Sequence, residues 1–242
     1  MNKVAKNAVW IIGIRVVQAV VAMLINMLTA RYLGPSGFGL ITYASSLVAF
    51  VLPIMQLGLC NVLVQEIVNN PNDEGKILGT SITLSFISSI CCIVGVTAFA
   101  FVANPDEPTT ILVCFLYSLI LIFQAFDYVE YWYQAKLMSK YTSMISLVAY
   151  IVVSIYKIFL LVNGKSVYWF AISNALDYVL ISSGGLLLYR KLGGSKLKFS
   201  IETGRMMFEK SKHYILSSMM VTVFAQTDKI MLKMMLNESA TG

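Results

Sequence analysis

Seven apolar runs occupy most of this 242-residue chain, near 9–30, 40–62, 78–102, 109–126, 141–162, 167–189 and 212–236. A helix of about 17–25 apolar residues spans the hydrocarbon core of a bilayer. Within lipid every backbone polar group must be satisfied locally, which leaves the α-helix as the form for such runs. The pattern therefore predicts an all-α, polytopic transmembrane helical bundle of about seven helices. The connections are too short to hold a folded soluble domain; the longest is 190–211. The chain divides into a six-helix lobe (1–189), a basic cytoplasmic connector (190–211), and a seventh helix (212–242) that opens a second lobe. Lys3 and Lys6 precede the first run as they would in a signal peptide. That run is too long, carries Arg15 and lacks a small-x-small cleavage site, so it reads as a retained helix.

Only 12% of the residues are charged and the formal net charge is +6, against roughly 25% charged in soluble domains. The basic residues lie between apolar runs, which suits a membrane face and argues against nucleic acid as a partner. With the N-terminus cytoplasmic, twelve Lys and Arg fall on the inside and only Arg31 and Lys165 on the outside. That bias sets the orientation, and the connector's charges also suit anionic lipid headgroups. Cys60, Cys91, Cys92 and Cys114 lie in apolar stretches without C-x-x-C spacing or a neighbouring histidine. They read as small hydrophobes, and no metal site is expected. No H-E-x-x-H, G-x-S-x-G or P-loop is present, so neither a catalytic set nor a cofactor is expected.

Charges placed at membrane depth cost about 2.5–3.5 kcal/mol each and commonly face a cavity or a partner. In the first helix Arg15, Gln18, Ala22, Asn26 and Thr29 recur at steps of three and four and form one polar stripe. This stripe is expected to line a water-accessible interior. Lys157 shares a face of the fifth helix with Ser146 and Tyr150, and Asp177 sits mid-way along the sixth beside Ser173 and Asn174. Both are candidate cavity residues, with headgroup contact an equal reading for Lys157. In the seventh helix Ser218, Thr222, Lys229 and Lys233 share a stripe with Asp228 adjacent. Asp127 and Glu130 read as interfacial residues at the end of the fourth helix, and His213 as interfacial. The candidate substrate-binding set is Arg15, Gln18, Asn26, Lys157, Asp177, Asp228 and Lys229.

The turn after the first helix, Ala30-Arg31-Tyr32-Leu33-Gly34-Pro35-Ser36-Gly37-Phe38-Gly39, resembles the polysaccharide flippase family. These are the O-antigen (Wzx-type) transporters of the MOP superfamily, which also holds the MATE exporters. Glu130-Tyr131-Trp132-Tyr133-Gln134-Ala135 followed by Lys140-Tyr141 is similar to the family's link between helices four and five. Gln226-Thr227-Asp228-Lys229-Ile230-Met231-Leu232 is similar to its seventh-helix signature. The resemblance covers essentially the whole chain. It implies a MATE-like fold of two six-helix lobes around a cationic cavity in a bacterial inner membrane. It also implies movement of undecaprenyl-pyrophosphate-linked oligosaccharide between leaflets, with membrane lipid and polysaccharide-assembly proteins as partners. Family members carry 12 to 14 helices, so these residues are expected to be an N-terminal portion that inserts without transporting alone. Two other readings remain. A MATE-like cation exporter favours an acid in the first helix, where Arg15 stands. A polysaccharide polymerase or ligase favours a large outer loop rich in basic residues.

Overall fold

The computed structural model describes the backbone of residues 3–236 and the side chains of residues 12–236. Its helices are α1 (Lys3–Met55), α2 (Cys60–Asn69), α3 (Glu74–Ala103), α4 (Pro108–Ser118), α5 (Ile120–Gln124), α6 (Val129–Ala135), α7 (Ser139–Val162), α8 (Val167–Lys191) and α9 (Ile201–Met235). Among the described residues there are no strands. Five stretches are long and apolar enough to cross a membrane: Ile12–Asn69, Pro71–Ala103, Pro108–Ala135, Ser139–Val162 and Val167–Lys191.

The first of these stretches makes two crossings. α1 is broken at Gly34, where φ is 69° and ψ 176°. A side chain is disfavoured at positive φ, so glycine takes the position. Pro35 follows, where a helix start has no use for the missing N–H. The direction of each limb follows from its neighbours. Arg15 shares a cavity with Ser143, Asn26 shares one with Lys157, and the Tyr32 hydroxyl donates to the Lys165 carbonyl at 3.2 Å. The first limb therefore runs parallel to α7. The second limb meets α3 in reverse order: Asn104 donates to the Tyr43 hydroxyl at 3.3 Å, and Ser88 donates to the Ile54 carbonyl at 3.3 Å. The chain reverses at Gly34.

α4, α5 and α6 make a single crossing, joined through Leu119 and a 3-10 turn at Ala125–Tyr128. Helical backbone thus continues to Ala135, so Asp127 and Glu130 lie within the helical stretch and not at its end. α3 carries Ser81, Ser85, Ser89, Cys92, Val96 and Ala100 on one buried face. Small residues at this spacing let helix backbones approach closely where lipid supplies no hydrophobic drive. The outward positions are large and apolar, among them Val94, Val102, Ile155 and Val162. Such a surface would associate in water and is solvated in lipid.

α9 is helical over 35 residues, about 52 Å. It starts at Ile201, where the Ser200 side chain accepts from the Thr203 N–H at 3.3 Å. The non-helical stretch within 190–211 is therefore short. α9 is not among the stretches apolar enough to cross, although it continues along α1 and α3. Its buried residues are Gly204, Met207, Ser211 and Lys233, and Phe224 is 92% exposed.

The helix ends alternate between two poles. At one pole Lys136 pairs with Glu74 at 2.8 Å and Lys210 with Glu66 at 2.6 Å. The connector lies against α3 there: the Lys198 N–H donates to the Gly75 carbonyl at 3.1 Å, and the Ser195 hydroxyl to Glu74 at 3.0 Å. Beneath it Trp132, Tyr133, Tyr189, Leu63, Leu78 and Met207 form a core, with Trp132 and Tyr189 edge-to-face at 4.9 Å. At the other pole Lys233 pairs with Glu107 at 2.7 Å.

Candidate functional site

The polar stripe of the first limb of α1 faces the inside of the lobe, toward α6, α7 and α8, and two cavities open along it. The first, of about 430 Å³, is lined by Ile14, Arg15 and Gln18 from α1, Glu130 and Gln134 from α6, and Ser139, Ser143 and Ser146 from α7. The second, of about 220 Å³, lies farther along the same stripe. Asn26 and Thr29 meet Phe38, Ile41, Thr42 and Ser45 of the second limb, Tyr117 of α4, Lys157 of α7, and Phe170 and Asn174 of α8. These are called the Arg15 cavity and the Asn26 cavity.

The Arg15 cavity places a guanidinium against hydroxyls and one carboxylate. Among the described residues Arg15 takes part in no ion pair, although Glu130 lines the same cavity. Glu130 instead accepts from the Gln134 amide at 3.5 Å. A guanidinium has five donors in a planar fork that matches phosphate or carboxylate oxygens two at a time. Arg15 itself is exposed at the cavity, and charge-assisted bonds of this kind are stronger than neutral ones. This arrangement can hold an anion.

A third space of about 20 Å³ lies beside the Arg15 cavity, sharing Glu130 and Ser146 with it and bordered also by Asp127, Thr142 and Ser182. It has room for about one water. The Oδ1 atoms of Asp127 and Asp177 and the Oε1 atom of Gln124 are buried without a protein hydrogen-bond partner. Asp127 and Asp177 lie within electrostatic reach of each other, and Asp177 within reach of Lys157. Lys157 in turn donates to Asn174 Oδ1 at 2.8 Å. The charges of the lobe interior thus form one connected group in which Lys157 offsets part of the carboxylate charge.

The chain matches the family model described as polysaccharide biosynthesis protein over residues 4–242. The chain belongs to that family. Comparison with curated proteins and with solved structures returned no match. Membership agrees with a multi-pass membrane bundle that serves polysaccharide synthesis as a transporter.

The structure brings together part of the sequence-derived set. Arg15 and Gln18 line one cavity of this family member, and Asn26 and Lys157 the other. Asp177 lines neither cavity; it is half-buried, with its Oδ1 atom enclosed and Lys157 within electrostatic reach. Asp228 and Lys229 stand apart on α9. The Asp228 carboxylate accepts the Lys229 backbone N–H at 2.8 Å, and the Lys229 ammonium donates to Gln226 at 3.3 Å. Sequence reasoning missed Thr42, Ser45 and Tyr117, which line the Asn26 cavity from two further elements. Thr42 and Ser45 lie three residues apart, a helical spacing that places them on one face of the second limb. Their apolar surroundings gave no sign of which partner that face would meet. Among the described residues no group of His, Cys, Asp and Glu is placed to hold a metal ion.

Proposed function

We propose that this chain serves in an inner-membrane flippase that moves undecaprenyl-pyrophosphate-linked oligosaccharide repeat units from the inner to the outer leaflet, with its N-terminus in the cytoplasm. The observation that carries this reading is Arg15, a guanidinium without an ion-pair partner in a cavity of about 430 Å³. Pyrophosphate is the part of such a substrate that a guanidinium fork recognises. Family membership and the basic bias of the connector pole support the rest. The lobe contributes binding and orientation; movement between leaflets requires the site to face each side in turn.

Arg15 gives the test. In cells lacking their own flippase, the complete gene product restores surface glycan. Arg15→Ala is expected to lower that glycan at least about tenfold, the loss of one charge-assisted interaction, while membrane abundance stays normal. Arg15→Lys keeps the charge without the fork and should retain part of the activity. Normal export by Arg15→Ala would remove the anion-binding role.

A further inference from the structure

The Asn26 cavity presents polar groups whose hydrogen-bonding sense is largely fixed. The Thr29 hydroxyl donates to the Ile25 carbonyl at 2.8 Å, Thr42 to Phe38 at 3.0 Å, and Ser45 to the Thr42 carbonyl at 2.8 Å. With their protons committed to the helix backbone, these three oxygens offer lone pairs to anything in the cavity. The Tyr117 hydroxyl lies beside Ser45. On the other side Lys157 has three N–H donors, one of them used on Asn174. Asn26 adds an amide that makes no hydrogen bond among the described residues. One wall accepts and the other donates. Between them stand the rings of Phe38, Tyr117 and Phe170.

These features narrow the ligand. Three lone-pair oxygens disfavour a simple anion, and the Lys157 ammonium disfavours a metal cation. At about 220 Å³ the space equals about seven waters. It lies below the roughly 300–1,000 Å³ typical of drug-sized ligands. Water alone would satisfy the polar wall but leave three aromatic rings facing water. A single hydroxylated ring meets every requirement: its hydroxyls both donate and accept, and its C–H face packs against aromatic carbon.

We propose that the Asn26 cavity is a monosaccharide subsite that grips one ring of the glycan. As part of a transport path it rests on the flippase reading above. Arg15 and Asn26 are about 16 Å apart along the helix, so the subsite holds a sugar distant from the group bound at Arg15. Thr29, Thr42 and Ser45 select for hydroxyl donors, and Lys157 and Asn26 bind hydroxyl oxygens.

The test uses the full chain in lipid nanodiscs, with methyl β-glucoside and methyl β-glucuronide as probes. Saturation-transfer NMR is expected to show magnetisation passing from the aromatic protons of the protein to the ring protons of at least one glycoside. Thr42→Val keeps the shape and removes an acceptor, and Asn26→Leu changes an exposed position; each should weaken binding about fivefold. Ser45→Phe fills the cavity and should abolish the transfer. The melting temperature of each variant, compared with the parent, shows whether it is folded. No transfer to either glycoside, or equal transfer to parent and folded variants, overturns the subsite. Surface glycan measured with the same substitutions in the complete gene product separates the two readings. Glycoside binding without export of a lipid-linked glycan would leave the subsite and sink the flippase reading. Export unaffected by Ser45→Phe would do the reverse.

Discussion

The two poles of the bundle are fastened in different ways. At the connector pole the attachment runs largely through backbone. Residues 195–200 lie so close to α3 that a Cβ at Gly75 would sit 2.4 Å from the Lys196 carbonyl oxygen, and one at Gly79 2.6 Å from that of Lys198. The Ser200 N–H donates to Thr80 Oγ1 at 3.0 Å, and the Ser211 hydroxyl to the Leu57 carbonyl at 2.8 Å. At the opposite pole α9 is held to the α3–α4 turn through side chains, Lys233 and Thr110 both reaching Glu107, at 2.7 and 2.6 Å. Shape specifies the first attachment and charge the second. The backbone contacts of the first should be insensitive to ionic conditions, unlike the Lys136–Glu74 and Lys210–Glu66 pairs beside them, while the second should respond as a whole to pH and to salt.

The largest effect should come from shape. Gly75→Val forces two backbones apart at a contact with no slack, and overpacking of this kind costs typically about 1–3 kcal/mol. It should free the connector, so that trypsin cleaves rapidly after Lys196 and Lys198 while the parent resists. Equal cleavage rates would show that the close approach is not what holds the strap. Glu66→Gln should come next. Glu66 is buried and its Lys210 partner is half-exposed, so loss of the charge-assisted bond is expected to cost about 1–3 kcal/mol, read as a lower unfolding midpoint in detergent.

The smallest effect belongs to the other pole. Hydrogen bonds from Lys233 and Thr110 hold the Glu107 carboxyl below its usual range. A group with a lowered folded-state pKa contributes its full stability above the unfolded value, about 4.3 for Glu. That contribution is lost as pH falls through the lowered value. Glu107 is 42% exposed, and for so exposed a carboxylate the expected contribution is under about 1 kcal/mol. Glu107→Gln should therefore reduce the loss of stability between about pH 5 and pH 3 and leave connector cleavage unchanged. A change in cleavage would mean the poles are coupled.

Much of this architecture was legible because membrane helices leave a strong signal. Apolar runs marked the crossings, and Gly34-Pro35 marked the reversal. The spacing of Arg15, Gln18, Asn26 and Thr29 placed them on one stripe, and that stripe does line the cavities. What stayed hidden depended on contacts between distant residues. Residues 201–211 are basic and polar, so hydropathy marks them as a connector. They are helical because Ser200 caps them and Gly204 and Met207 pack against α3 and the pole core. Asp127 looked interfacial because the apolar run ends at 126, whereas the aromatic residues that follow continue the helix to Ala135. Nothing local to Gly75 or Gly79 announces that a strand of connector will lie on them. Lys233 was visible as part of a stripe, but its partner lies 126 positions away in the chain.

The glycine-lined attachment also imposes an order on how the protein is made. The hydrogen bonds that tie residues 195–200 back to Glu74, Gly75, Thr80 and Tyr189 join the segment to residues made before it, and its two later partners, Thr203 and Gly204, follow directly. Glu107 must wait for Lys233. At about 5–20 residues per second the interval between the synthesis of Ser200 and that of Lys233 lasts roughly 2–7 s, during which the connector pole can close on a finished lobe. The final helix then docks beside neighbours whose positions are already set, so translation itself supplies the sequence of assembly.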